Sequence, residues 1–280
     1  MTTEFRFESR EEKKSYVERM FSDIARRYDF FNHFLSVGFD YSWRRRAIQV
    51  LRKRLNSPSY GAERSRRGPG GGSVGNPITF QLSNDSTPQP PPLSEEGERI
   101  LDIACGTGDL SFEALHQMPN AQITGVDLAE PMLELFRKKT EQKGKHVTIE
   151  KGDVEALRFP DNSFDGVTIG FGTRNFTDLL TAFKEIHRVL RPGGVFVNLE
   201  LAKPRVFPMK QLYHFYFDRF LPGLASTFGG ERSAYRYLPD SLRRFPDLEP
   251  LAELMKQADF REVQWETRTA GIVAIHSGIK

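Results

Sequence analysis

From Arg99 onward the chain alternates short apolar runs with stretches of helical period, and that alternation leaves few folds open. "RILDIAC", "AQITGVDL", "HVTIEKGD", "FDGVTIGF" and "VFVNLEL" read as five strands. Between them, "DLSFEALHQM", "PMLELFRKKTEQ" opened by Pro131, and "LLTAFKEIHRVL" ended by Pro192-Gly193-Gly194 read as helices. Strands separated by helices pair in parallel, because a crossover helix returns the chain to the same end of the sheet. A helix over "DLEPLAELMKQADF" and two closing strands, "EVQWETRT" and "GIVAIHSG", add an antiparallel edge hairpin. The predicted fold is α/β: a Rossmann-like, mostly parallel, seven-stranded sheet.

Three segments depart from this pattern. Residues 1–56 are expected to form a helical cap, since Val17, Met20, Phe21, Ile24 and Tyr28 recur at helical spacing, as do Trp43, Ala47, Val50 and Leu51. An aromatic stretch, "RYDFFNHFLSVGFDYSW", is expected to connect these helices. Residues 57–98 are rich in Gly, Pro and Ser and read as a disordered linker, too poor in apolar surface to offset the entropy of ordering. Residues 203–246 interrupt the third unit, 99–280, with aromatics, Pro and Arg, as an inserted lid would.

Composition narrows the function class. With 38% hydrophobic and 28% charged residues the chain is of ordinary soluble type. No apolar run approaches the roughly 18 residues that a membrane span requires. The opening "MTTEFRFESREEKK" has no apolar core and includes acids, which argues against a secretory signal or a mitochondrial presequence. The single cysteine, Cys105, fits a reducing cytosol, so a cytoplasmic location is expected. A net charge of +3 is too mild to mark a nucleic-acid binder; the basic residues clustered in "WRRRAIQVLRKRL" read first as a solvated helix face, with contact to an anionic membrane as the alternative.

The stretch "ILDIACGTGDL" runs a strand into a Gly-rich turn and a helix, which aims backbone N–H groups at a ligand. Gly106 and Gly108 permit close backbone approach, and Ser111 stands where a dinucleotide fingerprint has its third glycine. Asp102, Asp127 and Asp153 end three successive strands: Asp127 is placed for ribose hydroxyls, Asp153 for an adenine amino group. Three carboxylates repel a pyrophosphate and attract a sulfonium and an ammonium group, so S-adenosyl-L-methionine is the expected cofactor. A dehydrogenase relay is absent, because none of the eight tyrosines precedes a lysine by four residues. One cysteine and six scattered histidines supply no metal set, and none is expected. After the fourth strand, "IGFGTRNFTD" lacks the Asn/Asp-Pro-Pro-aromatic turn of amino-group methylation and offers Gly170, Gly172, Arg174 and Asn175. Arg174 suits a substrate oxygen with developing negative charge, or else an ion pair with a nearby carboxylate.

The stretches "MFSDIARRYDFFNHFLSVGFDYSWRR", "IACGTGDL", "GFGTRNFTD", "HRVLRPGG", "SAYRYLPDSLRRFPD" and "TAGIVAIHSGIK" resemble the UbiE/MenG family of quinone-biosynthesis C-methyltransferases over residues 15–55 and 99–280. The resemblance implies a class I S-adenosylmethionine-dependent fold that methylates a ring carbon of a prenylated quinol, with the last step to menaquinone expected and a benzoquinol step towards ubiquinone the alternative. It implies donor contacts from Thr107, Asp127 and the pair Asp153-Val154, with Gly170 in place of a donor-binding serine. Arg174, Asn175 and His33 are the expected catalytic residues, with His214 and Tyr235 as further proton acceptors or orienters. Tyr28, Phe31, Tyr235 and Tyr237 are expected against the substrate, and Phe30, Phe34, Phe39 and Tyr41 in an apolar lid. Expected partners are the prenylated quinol, a peripheral membrane contact and a second copy of the chain, with no nucleic acid. An RNA or protein methyltransferase and a non-catalytic donor-binding module are the competing classes. The long linker departs from the family pattern.

Overall fold

The computed structural model describes residues 7–57, 97–215 and 232–280, without the side chains of residues 26, 27, 30–32, 34, 35, 212, 214, 215 and 232–236. The expected linker therefore lies outside the described residues except at its ends. So do the central part of the lid segment and the side chains of Phe30, Phe31, Phe34, His214 and Tyr235.

Two helices come first, α1 (Arg10–Leu35) and α2 (Phe39–Leu55). Ser9 starts α1 by accepting from the Glu12 N–H at 3.1 Å, while the Glu12 carboxylate takes the Glu8 N–H at 2.6 Å. The aromatic stretch is thus not a connection: α1 continues through it, and only Ser36-Val37-Gly38 separates the helices. Gly38 donates to the His33 carbonyl at 2.9 Å, closing α1 with a Schellman bond and leaving Val37 left-handed at φ 52°.

Then follow β1 (Arg99–Ile103), α3 (Asp109–Gln117), β2 (Gln122–Asp127), α4 (Glu130–Gln142), β3 (Thr148–Lys151), β4 (Phe164–Gly170), α5 (Leu179–Val189) and β5 (Leu190–Leu201). The chain closes with α6 (Met209–Phe215), α7 (Arg232–Arg244), α8 (Leu248–Gln257), β6 (Arg261–Arg268) and β7 (Val273–Ile279). The seven strands are ordered β3-β2-β1-β4-β5-β7-β6, parallel as far as β5. β7 runs antiparallel between β5 and β6, so β6 is the edge strand at that side and β3 at the other. "RPGG" does not end a helix before a separate strand. β5 already pairs at Leu190, opposite Phe164, and the register shifts before Val195 resumes opposite Gly166.

Both sheet faces are covered, as the two-residue alternation requires. Ile100, Val195, Val197 and Leu199 pack with Trp43, Ile48 and Leu51 of α2 and with Leu110 and Leu115 of α3. Leu101, Val167, Ile169 and Phe196 point the other way, onto Phe183 and Ile186 of α5 and Met255 of α8. Burying these large side chains contributes about 1.5–3 kcal/mol each. Strand order reverses between β1 and β4, which opens a crevice at the strands' carboxyl ends.

Candidate active site

The chain leaves β1 through a tight turn in which Ala104, Gly106 and Gly108 all have positive φ. Cys105 donates to the Val126 carbonyl at 3.1 Å, and Gly108 to the Cys105 carbonyl at 2.9 Å. Gly106 faces open space: a Cβ there would meet only a Tyr28 ring carbon, at 4.0 Å. Gly108 differs, because a Cβ would stand 2.0 Å from the Phe136 ring. Its lack of a side chain admits α4, not a ligand. The Cys105 thiol is pushed well up by burial, so it serves as a packing residue.

A cleft with about 760 Å³ of empty space, part of it open to solvent, lies at the strand reversal. Gly106, Asp127, Asp153, Val154, Gly170 and Asn175 line it, together with Tyr28 and Phe171. Its charged lining is four carboxylates (Glu18, Asp127, Asp153, Glu155) against one ammonium, Lys14. Asp127 accepts from the N–H groups of Gly106 and Ala129, both at 2.9 Å, which leaves lone pairs on each oxygen for a ligand. Burial raises its pKa against those two bonds. Asp153 takes the Glu155 N–H at 2.9 Å and the Lys14 ammonium at 2.7 Å. Glu155 accepts from the Thr177 N–H and hydroxyl and the Asp178 N–H, and Lys14 lies 3.0 Å away. Burial works against the Glu155 anion, but these partners hold its pKa below the ordinary value.

α1 is strapped over the cleft by charge. Arg10 meets Asp178 at 2.7 Å, Lys14 meets Asp153 and Glu155, and Glu18 meets Lys151 at 2.6 Å. The Lys13 ammonium donates to the Phe176 carbonyl.

Beyond β4, a Cβ on Gly172 would lie 2.5 Å from Ala104 Cβ, so this loop sits directly on the β1 turn. The Arg174 side chain is nearly buried, and its guanidinium donates to Glu200 Oε1 and the Phe171 carbonyl, both at 2.6 Å. Glu200 also takes the Arg174 N–H at 3.1 Å. The ion-pair alternative for Arg174 is therefore what the fold adopts, and Arg174 does not line the cleft. Its neighbour Asn175 does, with a buried Oδ1 that has no hydrogen-bond partner.

Other expected site residues lie away from the cleft lining. Asp102 is buried beneath it, accepting from the hydroxyls of Ser111 at 2.6 Å and Thr168 at 3.0 Å. Burial first, then the nearby Asp127 charge, push its pKa up to about 6 against those bonds. The Thr107 hydroxyl turns to Asp29 at 2.5 Å and Lys139 at 3.0 Å. His33 is held by Asp40 at 2.6 Å and stacked on Tyr41, outside the cleft. Tyr237 is buried against Tyr16 of α1, its pKa pushed up to about 12 by burial. Lys14, Glu155 and Glu200 went unread in the sequence. Glu155, two residues past Asp153, carried a signal as the second acid after β3, but Glu200 lies 26 residues from Arg174 and carried none.

The cleft suits S-adenosyl-L-methionine. Its carboxylate excess favours a cation, Gly106 leaves room for close approach, and Asn175 Oδ1 is an acceptor that the protein leaves unused. Among the described residues no metal-binding cluster of His, Cys, Asp and Glu occurs, and no helix is long and apolar enough to cross a membrane.

Comparison with known proteins agrees. Residues 91–280 match the ubiE/COQ5 methyltransferase family. A demethylmenaquinone methyltransferase of Thermus thermophilus is 39% identical over 92% of this chain and 99% of its own length. A ubiquinone/menaquinone biosynthesis C-methyltransferase UbiE of Geobacter sulfurreducens is 38% identical, covering 96% of this chain and 90% of its own. Among solved structures, a SAM-dependent methyltransferase from Thermotoga maritima superposes with a TM-score of 0.56 at 18% identity, over 94% of this chain and 99% of that one. The [4+2]-cyclase SpnF shares the architecture at a TM-score of 0.51 and 20% identity, over 67% of this chain and 76% of its own. The fold alone therefore does not choose the reaction.

Proposed function

The chain belongs to the ubiE/COQ5 methyltransferase family, and from that premise we propose that it methylates a ring carbon of a prenylated demethylmenaquinol, with S-adenosyl-L-methionine as donor. When bound, the donor supplies an electrophilic methyl group on a positively charged sulfur.

The chain's own part is to bind, orient and exclude water. Asp127, with lone pairs to spare on both oxygens, accepts the donor's ribose hydroxyls. Asp153 and the Val154 N–H, which line the cleft beside it, would hold the donor's adenine. The carboxylate excess of the lining favours the donor's cationic end. Asn175 Oδ1 would orient a quinol hydroxyl by accepting its hydrogen bond; the adjacent ring carbon forms the new bond to the methyl group as the methyl–sulfur bond breaks, and its own proton is then lost to water. Arg174 is a positioning residue: its pair with Glu200 fixes the loop that carries Asn175. Tyr28, Phe21, Phe171 and Phe176 supply the apolar wall.

One observation carries this reading: an acid-lined cleft at the strand reversal whose wall includes Asn175, with a buried amide oxygen that has no partner. The test is transfer of labelled methyl from S-adenosyl-L-methionine to chemically reduced demethylmenaquinone, run beside the demethylated benzoquinol. Product from the naphthoquinol supports the proposal. Product from the benzoquinol alone favours the ubiquinone step, which the name of the Geobacter relative keeps open. Product from neither, with donor binding intact, overturns the quinone assignment.

A further inference from the structure

We infer that the α1–α2 turn and the chain leaving β5 together form a bilayer-docking surface, through which a membrane-dissolved substrate reaches the cleft. The second half of that statement rests on the function proposed above. Six large hydrophobic side chains are exposed among the described residues, and five belong to these two segments: Val37, Phe39, Tyr41, Val206 and Phe207. Val37 and Phe207 are 82% and 79% exposed.

The two segments meet at one end of the sheet. Trp43 Nε1 donates to Thr269 Oγ1 at 2.8 Å, and a Cβ on Gly271 would stand 3.4 Å from Pro204 Cα. The first turns of α2, at Trp43, and the post-β5 chain, at Pro204, thus both abut the β6–β7 turn. From this end an aromatic series leads inward. Phe39 stacks on Trp43 with centroids 6.3 Å apart, and Trp43 meets Phe171, which lines the cleft, at 6.2 Å.

Charge points to an anionic surface. Arg45 follows Tyr41 on one exposed face of α2, with Glu113 4.0 Å away, and Lys210 is exposed three residues past Phe207. Apolar side chains beside such cations are what an interfacial segment presents to lipid. The backbone adds a separate observation. Val37 occupies the left-handed position of the α1 cap, where glycine is usual and a β-branched residue is strained. Burial inside the protein does not account for a valine there, because its side chain points into solvent.

The test uses the full chain with phosphatidylcholine vesicles, with and without phosphatidylglycerol, and no quinol. The wild type is expected to co-sediment, more strongly with the anionic lipid. The double variant Val37→Asn/Phe207→Ser is expected to bind at least about tenfold more weakly, since two inserted apolar side chains are lost. Asparagine tolerates the left-handed conformation, so unchanged or higher thermal stability separates this loss from misfolding. Methylation of a soluble quinol lacking the tail stays at the wild-type level, while turnover of a long-tailed quinol in vesicles falls with binding. Vesicle binding unchanged in the variant, or absent in the wild type, overturns the inference. A dimer that the variant dissolves assigns the patch to a second copy and also overturns it. Vesicle binding lost as expected, with no quinol methylated by the wild type, leaves the docking surface standing and refutes the proposed function instead.

Discussion

Replacing Asp102 with asparagine is expected to stabilise the protein at neutral pH while weakening its hold on the donor. The Asp102 carboxyl is fully buried, and its pKa rises from 3.8 to about 6 because burial outweighs the hydrogen bonds from Ser111 and Thr168. A group that binds its proton more tightly when folded stabilises the fold below its unfolded pKa, and that stabilisation is lost as pH rises through the folded pKa. The loss thus falls between about pH 4 and pH 6. At 1.36 kcal/mol per tenfold change it reaches about 3 kcal/mol above that window. An uncharged amide escapes the penalty, and its NH2 can donate to one hydroxyl while the other still donates to its carbonyl. Allowing for imperfect geometry, Asp102→Asn should gain about 1–3 kcal/mol at pH 7.5, or roughly 2–4 °C in Tm per kcal/mol. Near pH 4 the gain should vanish. Thermal unfolding of the donor-free protein across this range, with donor affinity from calorimetry at pH 7.5, is the assay. A variant less stable than wild type at pH 7.5, or a gain independent of pH, would refute the reasoning.

Two further outcomes concern packing near the cleft and a third the strained cap of α1. Gly108→Ala should cost about 3 kcal/mol, combining the left-handed conformation with the clash against Phe136, and Phe136→Leu in the same background should recover part of it by chemical denaturation. Glu200→Gln strands the buried Arg174 guanidinium and should cost about 3–5 kcal/mol, while the double change Arg174→Met/Glu200→Gln should cost less, as a double-mutant cycle would show. Val37→Gly should raise stability by about 1 kcal/mol by relieving the strained cap, read from the denaturation midpoint.

The parallel sheet was legible in the sequence because each strand is bounded by its own punctuation, and the acid ending β2 follows directly from that reading. What escaped depended on chain distance or on which way a side chain turned. The aromatic run beyond Tyr28 read as a connection because its Phe, Asn and His residues favour a helix less than the segment before it, yet the helix continues to Leu35. Gly108 read as room for a ligand, since spacing cannot reveal that Phe136, 28 residues later, fills that room. Arg174 read equally well as a catalytic cation or an ion-pair partner, and only the register of β5 beside β4 brings Glu200 to it. Lys14 reaches Asp153 only because α1 folds back across the sheet, a placement that no motif in the first helix encodes.

The proposed cleft chemistry delivers a methyl group to ring carbon and not to a hydroxyl oxygen. The most direct test is the NMR spectrum of the product formed from carbon-13-methyl S-adenosyl-L-methionine and reduced demethylmenaquinone, for the wild type and for Asn175→Leu. Label is expected only in an aryl C-methyl signal, with a product yield strongly reduced in Asn175→Leu although donor binding persists. Label in a methoxy signal, or an Asn175→Leu variant that turns over like wild type, would contradict it.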